Sequence, residues 1–237
     1  MSTTINKPTP DDVFTYRRLR RSIGYLGACL PIVLVLLSFF DFFKTKIQPS
    51  ISHYYYSNFR ELFTGTLCAV GLFLIRYKGK GNKKWWLDDC RLTNFAGFMA
   101  FGVALVPTNP EDGINKIWTL IPSDQKWLGW LHYGFAGALF LTVANLSIHV
   151  FTLGQKKEPG TPISIFNENK IYRFCGFSII AFIILVPVLD GKNILPSSTL
   201  ILEALSLFSF GITWLIKGRA LGDKGWTGRN LYREKNS

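Results

Sequence analysis

The stretch ISHYYYSNFRELF, residues 51–63, places His53 ahead of an Arg60–Glu61 pair where an apolar run begins. His132 in WLHYG and Glu203 in STLILEALS also stand near the starts of apolar runs. Histidine with carboxylate suggests three chemistries. In acid–base or nucleophilic work, His132 is the base toward Thr108, Thr64 or Ser52, and a carboxylate orients it. In metal chemistry, His53, His132, Glu61 and Glu203 are the ligand set, although no HxxxH, HExxH or CxxC spacing accompanies them. In binding, the same groups line a polar pocket. The catalytic candidates are therefore His132, Glu203 and Glu61. The binding set is His53, Arg60, Glu61, Thr64, Thr108, Asn109, His132 and Glu203. His149 lies 17 positions past His132 on the same apolar run, about 25 Å along a helix, and belongs to neither set. The reading requires no metal and no cofactor.

The elements that position these groups are legible from composition. The chain has 237 residues, 48% hydrophobic and 18% charged, where a soluble domain carries about 25% charged. Mean hydropathy is +0.20. The apolar residues fall in continuous blocks at 23–43, 61–77, 90–107, 127–152, 172–189 and 199–216. Each is near the length of about 17–25 residues that a helix needs to cross a bilayer. The expected fold is an all-α polytopic membrane bundle of six transmembrane helices. Residues 1–22 form a basic cytoplasmic segment, 23–217 the transmembrane domain, and 218–237 a basic cytoplasmic tail. The first block follows RRLRR with no cleavage site after it, so it is expected to be both targeting signal and permanent span.

Charge sets the orientation. With the N-terminus inside, all but six of the 27 Lys and Arg lie on the cytoplasmic side; the six are Lys44, Lys46, Arg60, Lys116, Lys126 and Lys192. The positive-inside rule then puts both termini in the cytoplasm, giving a multi-pass protein of the bacterial inner membrane. The net charge of +12 is thereby explained by topology and by anionic lipid, not by nucleic acid. The tryptophans and Tyr54–Tyr56 read as aromatic belts at the two interfaces. Gly65, Gly97, Gly102, Gly134 and Gly137 read as close-packing positions between helices. The four cysteines suggest no disulfide framework.

In this orientation Glu61, His132 and Glu203 collect in the outer part of the bundle, His132 about 8 Å and Glu203 about 6 Å inside their blocks. An ionisable group within a span is costly and normally faces the interior with a partner. An outward-facing polar pocket satisfies all three, and so does a purely structural pairing that fixes the bundle.

Two resemblances bear on this. SHYYY, with Ser52, His53 and then Glu61, resembles one segment of the superfamily of alkaline ceramidases and adiponectin receptors, which implies a zinc hydrolase; the later HxxxH of that superfamily is missing. Over most of the chain, Ile51–Ser52, Pro107–Thr108–Asn109–Pro110, Leu131–His132 and Glu203 resemble the bacterial six-span family known as domain of unknown function 998. His53 stands where that family has aspartate. The family implies the fold and a polar outer site, and no activity. The functional expectation is binding or sensing of a lipid or amphipathic small molecule. One alternative is a membrane-embedded lipid hydrolase using histidine and carboxylate. A second is a small-molecule transporter working as a homo-oligomer. Membrane lipids are the expected partners, and the C-terminal tail is a docking point for a cytoplasmic protein.

Overall fold

The computed structural model describes residues 10–79, 81–110, 119–121, 125–153, 163–164, 167–190, 197–220 and 232–233. Among them are six long helices: α1 (Pro10–Leu37), α2 (Arg60–Arg76), α3 (Asp89–Leu105), α4 (Lys126–Leu153), α5 (Glu168–Asp190) and α6 (Ser198–Lys217). A π turn at Leu146–Val150 interrupts α4. Beside the helices there is one two-residue antiparallel pairing, Ile163–Ser164 with Tyr232–Arg233. Each helix packs on its neighbours in chain order, and α6 packs back on α1, which closes a ring of six.

Among the described residues, four helices are long and apolar enough to cross a membrane: Thr15–Leu37, Lys126–Leu153, Glu168–Leu189 and Ser198–Lys217. Helices α2 and α3 have 17 residues each, about 25 Å of rise against about 30 Å of bilayer hydrocarbon. Here the structure gives a coarser result than the six spans expected from the apolar blocks. The short helices have local causes. Helix α2 stops at Arg76 before the polar run KGKGNKK. Helix α3 starts at the Asp88 cap and ends where Pro107 forces Val106 into extended backbone (φ −87°, ψ 121°).

The interior follows helical spacing. Phe63, Leu67, Val70 and Leu74 of α2 are buried at intervals of three and four, as are Leu92, Ala96, Ala100 and Val103 of α3. The outward faces are apolar too, with Phe98, Phe174, Phe177 and Ile184 all strongly exposed, as a helix surface bathed in lipid requires.

Glycines bring some helix pairs close, but not all the expected ones. A Cβ on Gly211 would lie 2.8 Å from the Gly24 carbonyl, so α1 and α6 touch backbone to backbone. Gly97 meets the Gly71 carbonyl at 2.7 Å, and Gly102 meets the Phe135 ring. Gly65, Gly134 and Gly137 have nothing within 4 Å and pack no helix, contrary to their expected role.

The aromatic residues need a second correction. Trp85, Trp86, Trp127 and Trp130 are exposed and available to an interface. Trp214 is fully buried between Tyr77 and Phe151, with ring centroids at 5.2 and 5.3 Å. Tyr54, Tyr55 and Tyr56 are also buried in protein. They are bundle residues, not belt residues, because their hydroxyls serve carbonyls and a serine inside the fold. Trp118 and Trp226 lie outside the described residues.

Candidate functional site

The site forms where α3 ends. The last carbonyls of a helix lack partners within it, and Leu105 O at the end of α3, with Val106 O and Thr108 O just beyond it, is met by side chains from two other segments. The Tyr55 hydroxyl donates to Leu105 O at 3.4 Å, and the Tyr56 hydroxyl donates to Thr108 O. Burial pushes the Tyr55 phenol up from its ordinary value, Arg60 opposing, so the group stays protonated and able to donate. His132 of α4 reaches Val106 O with Nδ1 at 2.7 Å.

That last contact fixes the histidine. A backbone carbonyl only accepts, so Nδ1 carries the proton. In the neutral ring Nε2 is then left as an acceptor. The atom facing Nε2 is Ser52 Oγ at 3.0 Å, and its hydroxyl is the donor. His132 is fully enclosed, whereas Ser52 keeps 8% of its surface. The arrangement is a serine hydroxyl, a base that accepts its proton, and a third group that holds the base in one tautomer. The third group here is a carbonyl, not a carboxylate.

The turn bearing Ser52 is built locally. Ser50 Oγ accepts from the His53 amide at 3.1 Å and lies 2.7 Å from His53 Nδ1, which starts the 3₁₀ turn Ser52–Tyr56. Ser38, just past the end of α1, meets the Tyr54 hydroxyl at 2.9 Å. From α6, Glu203 Oε2 accepts from the Ile51 amide at 2.7 Å and from the Ser52 amide at 3.3 Å. The carboxylate therefore holds the serine's backbone and is not the histidine's partner at Nδ1.

The expected site residues divide. His132 and Glu203 converge on Ser52. Thr108 is buried beside them, its hydroxyl donating to Tyr133 at 3.2 Å. Asn109 lies on the backbone of Gly129, one turn before His132, where a Cβ would stand 2.0 Å from Asn109 Oδ1. The Arg60 guanidinium pairs with Glu61 at 3.5 Å, and the Glu61 side chain is 79% exposed. The Thr64 hydroxyl turns back to its own helix at Arg60 O. These three are not drawn into the Ser52–His132 contact. Nor, among the described residues, do the ligand atoms of His53, His132, Glu61 and Glu203 assemble into a metal grouping; Glu61 is turned out to Arg60. Ser52 was legible only as one of three nucleophile options. Val106, which fixes the His132 tautomer, acts through its backbone and has no sequence signal.

At the other end of the bundle, Asp88, Asp89 and Cys90 offer ligand atoms within 4.8 Å of one another. Each of the three accepts from a backbone amide. Asp88 Oδ1 accepts from the Arg91 amide, Asp89 Oδ1 from the Gly81 amide, and Cys90 Sγ from the Gly79 amide.

No family model, curated protein or solved structure matches the chain.

Proposed function

We propose that the chain is a six-span membrane protein, both termini cytoplasmic, whose outer end performs acyl transfer on a lipid or amphipathic ester with Ser52 as nucleophile and His132 as base. The observation that carries this reading is the 3.0 Å contact between Ser52 Oγ and an Nε2 left as acceptor by the Val106 carbonyl. In the reaction Ser52 Oγ bonds to the ester carbonyl carbon while its proton passes to Nε2. The ester C–O bond breaks and the departing alcohol takes that proton. Water then releases the acyl group by the same route, its proton passing through Nε2 to Ser52. Positioned general bases contribute about 10²–10⁴-fold to such steps. The six spans rest on the apolar blocks and on the four helices of spanning length, and the orientation on the distribution of Lys and Arg.

The test is hydrolysis of a p-nitrophenyl ester series of increasing chain length by protein in vesicles. A chain-length optimum is expected, with a loss of about 100-fold or more in Ser52→Ala. Equal rates in wild type and variant would remove the reading.

A second reading has its own observation. Tyr55, Tyr56 and His132 together fasten the end of α3 and the segment after it, as a lock for a binding or sensing protein would. Native mass spectrometry separates the two: a lipid retained by wild type and lost in Glu203→Gln, without ester turnover, supports binding.

A further inference from the structure

We infer that Glu203 is a positioning residue for the Ser52 nucleophile, acting through the serine's backbone; this rests on the acyl-transfer reading above. The carboxylate reaches across from α6 to a turn 151 and 152 positions earlier in the chain. Two amides entering the turn find their acceptor there, and a buried amide without one is costly. The shorter bond, 2.7 Å, is to Ile51, and the bond to Ser52 itself is 3.3 Å. The grip thus bears mainly on the residue before the nucleophile. Helix α6 holds the same segment at a second point, where the Leu200 amide donates to Pro49 O at 3.0 Å. With residues 49–52 fastened twice, the Ser52 side chain needs only its own χ1 to meet Nε2. In a Ser–His–acid triad the acid orients the histidine. In this chain the Val106 carbonyl does that, and the acid holds the serine.

The division of labour predicts a particular signature. Loss of Glu203 lowers the fraction of molecules with Ser52 aligned, and it leaves the proton affinity of the base unaltered. The plateau of a pH–rate profile falls while its midpoint stays. The experiment follows the rate at which an alkyl fluorophosphonate labels the vesicle-reconstituted full chain between pH 3 and 9, with melting and size-exclusion profiles as the check on folding. Glu203→Ala is expected to label about 10–100-fold more slowly, since displacements of about 1 Å cost that much. Glu203→Gln keeps an acceptor oxygen, though a weaker one than a charged carboxylate, and is expected within about threefold of wild type. An Ala variant at the wild-type rate overturns the inference. So does a faster one, which would make the carboxylate an obstruction, and so does a midpoint moved by a unit or more. If Glu203→Ala does not fold, Glu203→Asp decides: its shortened carboxylate cannot reach both amides, and a loss of about tenfold is expected. A wild-type rate in Glu203→Asp overturns the inference. Should the wild type itself take no label on Ser52, the acyl-transfer reading fails first, and that result is distinct from indifference to Glu203.

Discussion

Nε2 of His132 lies 3.0 Å from Oγ of Ser52, eighty positions away in the chain, and Nδ1 of the same ring lies 2.7 Å from the Val106 carbonyl. One imidazole thus joins the turn before α2, the end of α3 and the start of α4. The join is structural, and under the acyl-transfer proposal it is chemical as well.

The tyrosine turn is expected to be a stability element. Tyr56→Phe removes the donor to a buried carbonyl, that of Thr108, and should cost about 1–3 kcal/mol. Tyr55→Phe breaks the longer bond to Leu105 O and should cost less. Thermal melting in detergent reads both. A Tyr56→Phe protein as stable as wild type would mean that the tyrosines only fill space.

Glycine positions should behave in two classes. Gly211→Ala drives a methyl into the backbone of α1 and should destabilise by about 1–3 kcal/mol. Gly134→Ala meets nothing and gains up to about 1 kcal/mol of helix propensity. Equal melting temperatures for the two variants would contradict the α1–α6 contact.

These two cases show how far the sequence could be read. Continuous apolar blocks fix helix existence, because helices are what apolar chain forms when water is absent. They carry no information on which face of a helix meets protein and which meets lipid, since both faces are apolar. Gly134 and Gly211 look alike in the sequence for that reason. Tyr54–Tyr56 suit an aromatic belt and a buried plug equally well by composition. His132 and Glu203 were legible as ionisable groups within apolar runs. Of their partners, Ser52 was legible as one of three options for His132, whereas Val106 and Ile51 were not, because they take part through backbone atoms that every residue has. Glu61 shows a further limit, since an acid opening a helix can pair with the preceding arginine and stay exposed.

Acid sensitivity should trace in part to Asp88. Its carboxylate caps α3 by accepting from the Arg91 amide at 3.1 Å, which holds its pKa below the ordinary 3.8. A lowered folded-state value means that the stabilisation is present above the unfolded value and is lost as pH falls through the folded one. Asp88→Ala should cost about 1 kcal/mol at pH 7, and the difference from wild type should shrink below pH 4. A constant difference across that range would show that the charge of the cap is irrelevant.

Membrane orientation has a direct readout. In a chain whose four native cysteines are replaced by alanine, Glu61→Cys should react with an impermeant maleimide added outside intact cells, and Asn82→Cys should not. The reverse pattern would invert the topology. Reaction at both sites would mean that α2 does not span.

The central claim is that Ser52 is a nucleophile and His132 its base. Peptide mass spectrometry of the protein after exposure to a long-chain alkyl fluorophosphonate tests it most directly. The account predicts one phosphonyl adduct, on Ser52, that is lost when His132 is replaced by Gln while the protein stays folded. An unlabelled Ser52, or an adduct indifferent to His132, would contradict it and leave the contact as a bond between helices.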